Sequence, residues 1–266
     1  MLEVCIDSLE SALNAIHGGA DEIEVCSSLA EGGLTPSAGL VREIQSTVNN
    51  VILKKYLHKS CPKGCHCIGL HKKPKVNVML RCRTGSDFCY SILEMETMLA
   101  DLEVFKTFNI DRFVFGAIDN TKNIDWESCK RVVDLARPIP VTFHRAFDIC
   151  KSPIQSLTTI IELGFNRVLT SGQQSSAADP KAVNLINELL NKFKDEIEIM
   201  PGAGITYDNA KSFLDIGCTI IHSSCKKVVK LPKYDDLCMG SNESTYLIVT
   251  DEQQVRKIKA ITSSSC

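Results

Sequence analysis

Long apolar runs are missing from this chain of 266 residues. No run approaches the roughly 18 apolar residues that a membrane-crossing helix needs, so we expect no membrane partner. Residues 1–4 lack the basic start of a signal peptide, so we expect a cytoplasmic protein, with a nuclear pool as the alternative. The net charge of the chain is −2. This charge excludes nucleic-acid binding through an overall positive charge.

Cysteine is too scarce for a disulfide scaffold, which typically holds more than about 8–10% of it. The chain has 13 cysteines, an odd number, in a sequence long enough to bury a large core. Both features favour free thiols. Some would pack as small hydrophobic residues, whereas others could bind a metal, and their positions must decide between the two roles.

Strand-like and helix-like segments alternate eight times along the chain. Strands are predicted at 2–7, 22–26, 76–81, 112–116, 141–145, 167–170, 198–200 and 219–223. Helices are predicted near 8–17, 37–48, 91–108, 125–136, 153–163, 180–193, 207–214 and 251–262. Strict alternation requires parallel strands with crossover helices. Eight units in this length predict one α/β domain over residues 1–266, a (β/α)8 barrel of the TIM type. A doubly wound open sheet is the competing fold, but it usually carries a nucleotide-binding fingerprint, which we do not find.

One segment interrupts this alternation. Asp and Glu are absent from residue 44 through residue 86, whereas seven Lys and two Arg fall in that span. We expect residues 52–75 to form an exposed inserted loop between helix 2 and strand 3. Cys61, Cys65 and Cys67 in this loop, with flanking histidines, form a weak candidate for a second metal site. The alternative is a basic loop whose thiols are incidental.

Polar side chains occupy the second face of several predicted strands. Strand 1 alternates apolar residues with Glu3, Cys5 and Asp7, and strand 2 alternates them with Glu22, Glu24 and Cys26. The helix-facing side of a barrel strand is apolar, so these polar residues should point inward. Arg81, His144 and His222 stand near the carboxyl ends of strands, where barrel sites lie. The alternative to a functional site is a network of salt bridges that closes the mouth of the barrel.

Cys5 and Cys26 are placed by the alternation at matching depth on neighbouring strands. Neighbouring strands lie about 4.8 Å apart, so the two thiols could approach one another. Two thiolates at that spacing suit Cu(I), or half of a zinc site. From spacing alone, two small core residues remain the alternative.

A resemblance to a known family lies in residues 2–8, 18–21, 23–26, 31–37, 85–91, 114–117, 140–148, 167–172 and 200–205. In these segments the chain resembles the CutC family of copper homeostasis proteins. The blocks His144-Arg145-Ala146-Phe147-Asp148 and Leu169-Thr170-Ser171-Gly172 are the most specific. The resemblance implies a barrel, an intracellular location, a homo-oligomer, and copper handling with Cu(I) as the bound ion. It places the family's proposed copper thiols on Cys5 and Cys26, and it supplies no reaction.

Three residues depart from the family's usual pattern. Cys82 stands where the family usually has proline, Ala203 where it has glycine, and Cys225 where a small residue without sulfur is expected. The added methyl group of Ala203 would narrow the space for a ligand that approaches the backbone there.

The loops after strands 7 and 8 suggest a second function, a barrel enzyme acting on a small anionic or phosphorylated metabolite. Gly202, Gly204, His222 and Ser223 occupy the positions of a common barrel phosphate site, and Arg81 and Arg145 could add positive charge. In this hypothesis His144 is the general acid or base, Glu3 or Glu24 is its partner, and Arg81 holds the anion. The alternative is that glycine and proline only shape the loop. We favour copper binding without catalysis.

Overall fold

The computed structural model describes residues 1–49, 73–231 and 246–264. The parallel strands are β1 (Leu2–Ile6), β2 (Glu22–Val25), β3 (Lys75–Met79), β4 (Arg112–Phe115), β5 (Val141–Phe143), β6 (Arg167–Thr170), β7 (Glu198–Pro201) and β8 (Ile221–Ser223). Their order is β7-β6-β5-β4-β3-β2-β1-β8, so the strands from β1 to β7 pair in sequence order and β8 pairs with β1. The result is a nearly closed barrel, and the predicted (β/α)8 fold is confirmed.

Helices follow the strands and surround this barrel. They are α1 (Leu9–Gly18), α2 (Ala38–Asn49), α3 (Ile92–Lys106), α4 (Trp126–Ala136), α5 (Pro153–Glu162), α6 (Pro180–Phe193), α7 (Tyr207–Asp215) and α8 (Glu252–Ser264). Short 3₁₀ helices lie at Leu29–Glu31 and Arg145–Ile149. Among the described residues, no helix is long and apolar enough to cross a membrane.

Local capping explains where helices begin. The Ser8 hydroxyl accepts a hydrogen bond from the Ser11 amide and starts α1. At the start of α3, Ser91 and Glu94 form a capping box in which each side chain accepts from the other's backbone amide.

Glycine at the end of α1 has a packing role, because a Cβ on Gly18 would lie 2.4 Å from Cβ of Val255 in α8. The first and last helices can therefore approach closely.

The apolar core lies between the barrel wall and the helices. Leu2, Val4 and Ile6 of β1 are completely buried in it, as the alternation of this strand predicts. Burial of each such side chain stabilises the fold by about 1.5–3 kcal/mol. The polar face of the same strand is thereby turned to the interior of the barrel.

An antiparallel hairpin between β8 and α8 was not among the predicted elements. Strand β9 (Lys226–Lys230) pairs with β10 (Tyr246–Thr250), with Lys230 opposite Tyr246 and Lys226 opposite Thr250. The signal was present in the run Tyr246-Leu247-Ile248-Val249-Thr250, which is rich in β-branched residues. The prediction alternated one strand with one helix, so it did not include an additional pair of strands.

Strand β3 begins one residue earlier than predicted. The amide of Lys75 donates to the carbonyl of Asp21, and Lys75 is the register partner of Glu22. The predicted insertion 52–75 therefore ends before Lys75, because pairing with β2 holds that residue in the barrel. Residues 52–72, with Cys61, Cys65 and Cys67, lie outside the described residues.

Candidate metal centre and ligand cavity

A buried ionic network fills the amino-terminal end of the barrel. Arg167, at the start of β6, lies 2.8 Å from a carboxylate oxygen of Glu22, 3.4 Å from Glu3 and 2.6 Å from Glu198. The Asn77 amide donates to both Glu3 and Glu22. Burial raises the pKa of Glu22, but hydrogen bonding to Arg167 and its charge outweigh burial and hold the value at about 2. At this level the polar interior is a salt-bridge network, and sequence reasoning missed its central cation.

The next layer toward the carboxyl ends brings together three potential metal ligands. Ligand atoms of Cys5, Glu24 and His222 all lie within 4.8 Å of one another, and all three residues are buried. Strand pairing causes this arrangement, because Cys5 is the register partner of Glu24 and Glu3 is the register partner of His222. The sequence suggested three separate roles for these residues, and the barrel places them in one cluster.

Glu3 orients the imidazole of this cluster. Its Oε1 lies 2.8 Å from His222 Nδ1, while His222 Nε2 is 3.7 Å from a carboxylate oxygen of Glu24. A carboxylate on one ring nitrogen commonly fixes a histidine so that the other nitrogen can bind a metal. Burial lowers the pKa of His222, but Cys5, Glu24 and Glu3 together hold it well above the ordinary value. Burial also raises the pKa of Glu24 to about 7.

Cys26 lies beside this cluster but at a different level from Cys5. The expectation of matching depth was wrong, because Glu24 is level with Cys5 and Cys26 comes two residues later. The Cys26 thiol is fully buried and donates to Glu24 over 3.7 Å. Burial, Glu24 and Cys5 raise its pKa, so the free thiol keeps its proton at neutral pH. A metal that binds Cys26 must therefore displace that proton.

His144 is separate from the two carboxylates predicted as its partners. Its Nδ1 accepts a hydrogen bond of 3.2 Å from the Ala146 amide, and its ring lies 4.9 Å from the ring of Phe88. The histidine that meets Glu3 and Glu24 is His222. Burial, with the nearby positive charge of Arg81, lowers the pKa of His144 to about 3. His144 is therefore a neutral imidazole at physiological pH.

Arg81 ties two loops together. Its guanidinium donates to the backbone carbonyls of Glu31, Gly33 and Gly85 at 2.7–3.0 Å. Only Nε remains without a partner among the described residues. The predicted anion clamp thus has a structural role that occupies most of its donors.

Arg145 is also engaged. It pairs with Asp148 at 2.8 Å and donates to the Ser171 hydroxyl at 3.0 Å. Asp148 additionally accepts hydrogen bonds from Thr170 and from the Ser171 amide. The Arg145 side chain is exposed, whereas that of Asp148 is nearly buried, and the pair carries little net charge.

Donors in the loops after β7 and β8 bind within the protein. The Gly202 amide donates to the Thr170 carbonyl over 2.9 Å, and the Ser223 hydroxyl donates to the Ile205 carbonyl over 2.8 Å. Ala203 and Gly204 have φ values of 71° and 81°, so this loop uses left-handed backbone. These observations support the alternative in which the glycines shape the loop.

A cavity of about 770 Å³ lies beside the metal cluster and the charged residues of the barrel rim. Its lining includes Cys5, Glu24 and His222 of the metal cluster and also Arg81, His144 and Arg145. The volume is typical of small-molecule sites. One opening therefore serves both the candidate metal ligands and the charged residues at the rim of the barrel.

Comparison with known proteins identifies the family. The CutC family model matches residues 1–56 and 68–227. The chain is 39% identical to the human copper homeostasis protein cutC homolog over 98% of this chain and 88% of that protein. It is 36% identical to the Caenorhabditis elegans homolog, over 97% of this chain and 94% of that protein.

Solved structures agree with this assignment. A CutC crystal structure from Streptococcus agalactiae matches with a TM-score of 0.68 and 28% identity, over 84% of this chain and 98% of that one. Phosphoribosyl anthranilate isomerase from Thermotoga maritima shares only the fold, with a TM-score of 0.53, 12% identity, and coverage of 99% and 98%. The family match extends over most of the barrel, including β1, β2 and β8, and on that evidence the chain belongs to the CutC family.

Proposed function

We propose that this protein binds Cu(I) inside the barrel and serves copper homeostasis in the cytoplasm. Its relatives named copper homeostasis proteins support a copper-related role. The observation that carries the proposal is the buried cluster in which ligand atoms of Cys5, Glu24 and His222 lie within 4.8 Å of one another. Copper is the cargo in this proposal, and the cavity is its entrance.

The thiols of Cys5 and Cys26 are the ligands that favour Cu(I) over harder ions. His222 is placed to add an imidazole nitrogen, because Glu3 holds the other ring nitrogen. Met79 packs against Cys26 and lines the cavity, so a thioether stands beside the thiols. Soft sulfur ligands in a buried site distinguish this cluster from a calcium or magnesium site, which would use oxygen ligands.

The test is a Cu(I) titration against a chromophoric Cu(I) chelator under reducing, anaerobic conditions. We expect the wild-type protein to remove Cu(I) from the chelator and the Cys5→Ser, Cys26→Ser double variant to lose this competition. Cys129→Ser, Cys150→Ser is the matched control, because it removes two buried thiols that donate to the backbone carbonyls of Ala117 and Ala146. Undiminished stoichiometry and affinity in the first double variant would refute the assigned ligands.

Single variants separate the contributions of the ligands. We expect Cys5→Ser to weaken Cu(I) binding most, since Cys5 belongs to the compact cluster. His222→Gln tests the imidazole, and Cys26→Ser tests the thiol that lies two residues beyond the register partner of Cys5. If only Cys26→Ser leaves the affinity unchanged, the site consists of Cys5, Glu24 and His222.

The oligomeric state is a further expectation of this proposal. A homo-oligomer is expected for the copper-binding protein and is tested by sedimentation velocity at several protein concentrations.

The alternative function, an enzyme acting on a small anionic metabolite, is supported by the cavity and by the charged residues around it. We assign no reaction to it.

A further inference from the structure

A carboxylate, an imidazole and a thiol lie in contact on the inner face of the barrel. Glu3 and Cys5 are two residues apart on β1 and therefore share a face, and His222 on β8 is the register partner of Glu3. His222 Nδ1 lies 2.8 Å from Glu3 Oε1, and the Cys5 sulfur lies within 4.8 Å of a ring nitrogen of the same histidine. Because two residues of a strand span about 6.6 Å, one imidazole can reach both side chains.

The contact with Glu3 determines how the ring of His222 is protonated. An ionised carboxylate can only accept a hydrogen bond, so Glu3 keeps a proton on Nδ1. Nε2 lies 3.7 Å from the nearest Glu24 oxygen, which is longer than an N–H···O hydrogen bond. Nε2 is thus the nitrogen that can accept the proton of the Cys5 thiol. A nucleophile beside a base, with the base oriented by a third group, is the arrangement of covalent catalysis.

Cys5 is the thiol that a small molecule can reach in this cluster. It lines the cavity of about 770 Å³ and is 8% exposed, whereas Cys26 is completely buried and donates to Glu24. His222 lines the same cavity, so the thiol and its base face one space. That space is large enough for a small organic substrate.

We propose that Cys5 is a nucleophile toward the acyl group of a small ester or thioester. His222 is the base that accepts its proton, and Glu3 is a positioning residue that orients the base. Apolar side chains such as Leu29 and Met79 line the cavity and offer a surface for the acyl chain. This activity goes beyond copper binding and belongs to the metal-free protein, because a metal on the sulfur would occupy the nucleophile.

The reaction needs only the ester, water and these side chains. The Cys5 sulfur attacks the carbonyl carbon while the thiol proton passes to His222 Nε2. The bond to the leaving group breaks, and His222 returns the proton to the departing oxygen or sulfur, which leaves the acyl group on Cys5. A water molecule then attacks the acyl carbon and gives a proton to His222, and that proton restores the thiol as the carbon–sulfur bond breaks. The products are a carboxylic acid and an alcohol or thiol.

Hydrolysis of p-nitrophenyl acetate by the metal-free, reduced protein tests the proposal. We expect wild type to release p-nitrophenol at least about 100-fold faster than the Cys5→Ser variant, because serine is a much weaker nucleophile than cysteine. Mass spectrometry of peptides from acid-quenched samples should find the acetyl group on Cys5. Equal release rates in wild type and Cys5→Ser overturn the proposal. They leave the copper proposal standing, because chelator competition measures that proposal separately.

Substitution of the base separates an activated thiol from an accessible one. His222→Gln should slow the acetylation of Cys5 about 100-fold, which is a usual contribution of a general base. His17→Gln is the matched control, because His17 also pairs with a glutamate, Glu252 at 3.7 Å, but lies in α1 and does not line the cavity. Iodoacetamide labelling of Cys129, which is completely buried, shows whether a variant remains folded. Equal acetylation of Cys5 in the folded His222→Gln variant and in wild type refutes the role of the base.

The role of Glu3 has a spectroscopic signature in addition to a rate. Glu3→Gln should slow the acetylation of Cys5, because the glutamine amide can donate to Nδ1 and drive the ring proton to Nε2. The ¹⁵N spectrum of the histidine rings should then show that the proton of His222 has left Nδ1, while the His17 resonances stay in place. An unchanged acetylation rate in Glu3→Gln contradicts the positioning role.

Discussion

Replacement of Arg167 by methionine should destabilise the barrel strongly at neutral pH. The substitution removes the cation that lies 2.8 Å from Glu22 and 2.6 Å from Glu198, with Glu3 at 3.4 Å. Arg167, Glu3 and Glu22 are each only 1% exposed, so water cannot replace the lost partner. Breaking a buried ion pair by removing one partner costs about 3–5 kcal/mol of unfolding free energy.

The pKa of Glu22 gives an independent value for the contribution of this ion pair to the free energy of unfolding. Its pKa falls from 4.5 to about 2 on folding, because the hydrogen bonds and charge of Arg167 outweigh burial. A shift of that size corresponds to about 3 kcal/mol of stability at neutral pH. Since the folded-state pKa is lowered, this contribution is present above pH 4.5 and is lost as the pH falls toward 2. The destabilisation caused by Arg167→Met should therefore shrink in acid.

Urea denaturation followed by far-UV circular dichroism at pH 7, 5, 4 and 3.5 measures this effect. Arg131→Met is the control, because it removes an equivalent cation from a pair with Glu96 in which the two side chains are 47% and 56% exposed. That exposed pair should contribute only about 0–1 kcal/mol. The reasoning is refuted if both variants lose the same stability, or if the loss at Arg167 is equal at pH 7 and pH 3.5.

Three further variants test the cluster and the cavity. Glu3→Gln should lower the Cu(I) affinity about 10–100-fold in the chelator competition, because Glu3 orients His222. Glu198→Gln is the control. It removes a carboxylate from the other end of the network and should change the Cu(I) affinity much less. Buried His144, with a pKa of about 3, should contribute a loss of stability of about 1.4 kcal/mol per pH unit as the pH drops below 6.5, because the unfolded chain binds a proton that this folded ring does not. In urea denaturation, His144→Asn should remove about one proton from that dependence, and an unchanged slope would contradict it. Gly116→Ala should lower the stability by about 1–3 kcal/mol in the same assay, because the added Cβ would lie 2.6 Å from His144 Nδ1; wild-type stability in this variant would show that the ring can move aside.

The repeated strand and helix pattern could be predicted because it is a local property. Apolar residues at helical spacing and capping residues such as Ser8 and Ser91 act within a few positions of the chain. The inward direction of Glu3 and Cys5 also follows from alternation within β1, and both residues are buried. Each of these predictions needed information from one segment only.

Register between strands could not be predicted in this way. Cys5 was expected level with Cys26, yet its partner is Glu24. Alternation shows which face a residue occupies, but the stagger between barrel strands decides which residues are level. Arg167 was missed for a related reason: its partners Glu3, Glu22 and Glu198 belong to three other strands, and nothing near Arg167 in sequence indicates them.

Closure of the barrel also decides which histidine meets the carboxylates. His144 was expected beside Glu3 or Glu24 because both its strand and theirs carry polar residues inward. Strand β8 pairs with β1, so His222 becomes the register partner of Glu3, whereas β5 pairs with β4 and β6. Glu3 in turn contacts Arg167 on one side and His222 on the other. The ionic network that stabilises the barrel and the cluster proposed to bind copper thus share one carboxylate, so substitutions at Glu3 should affect both stability and metal binding.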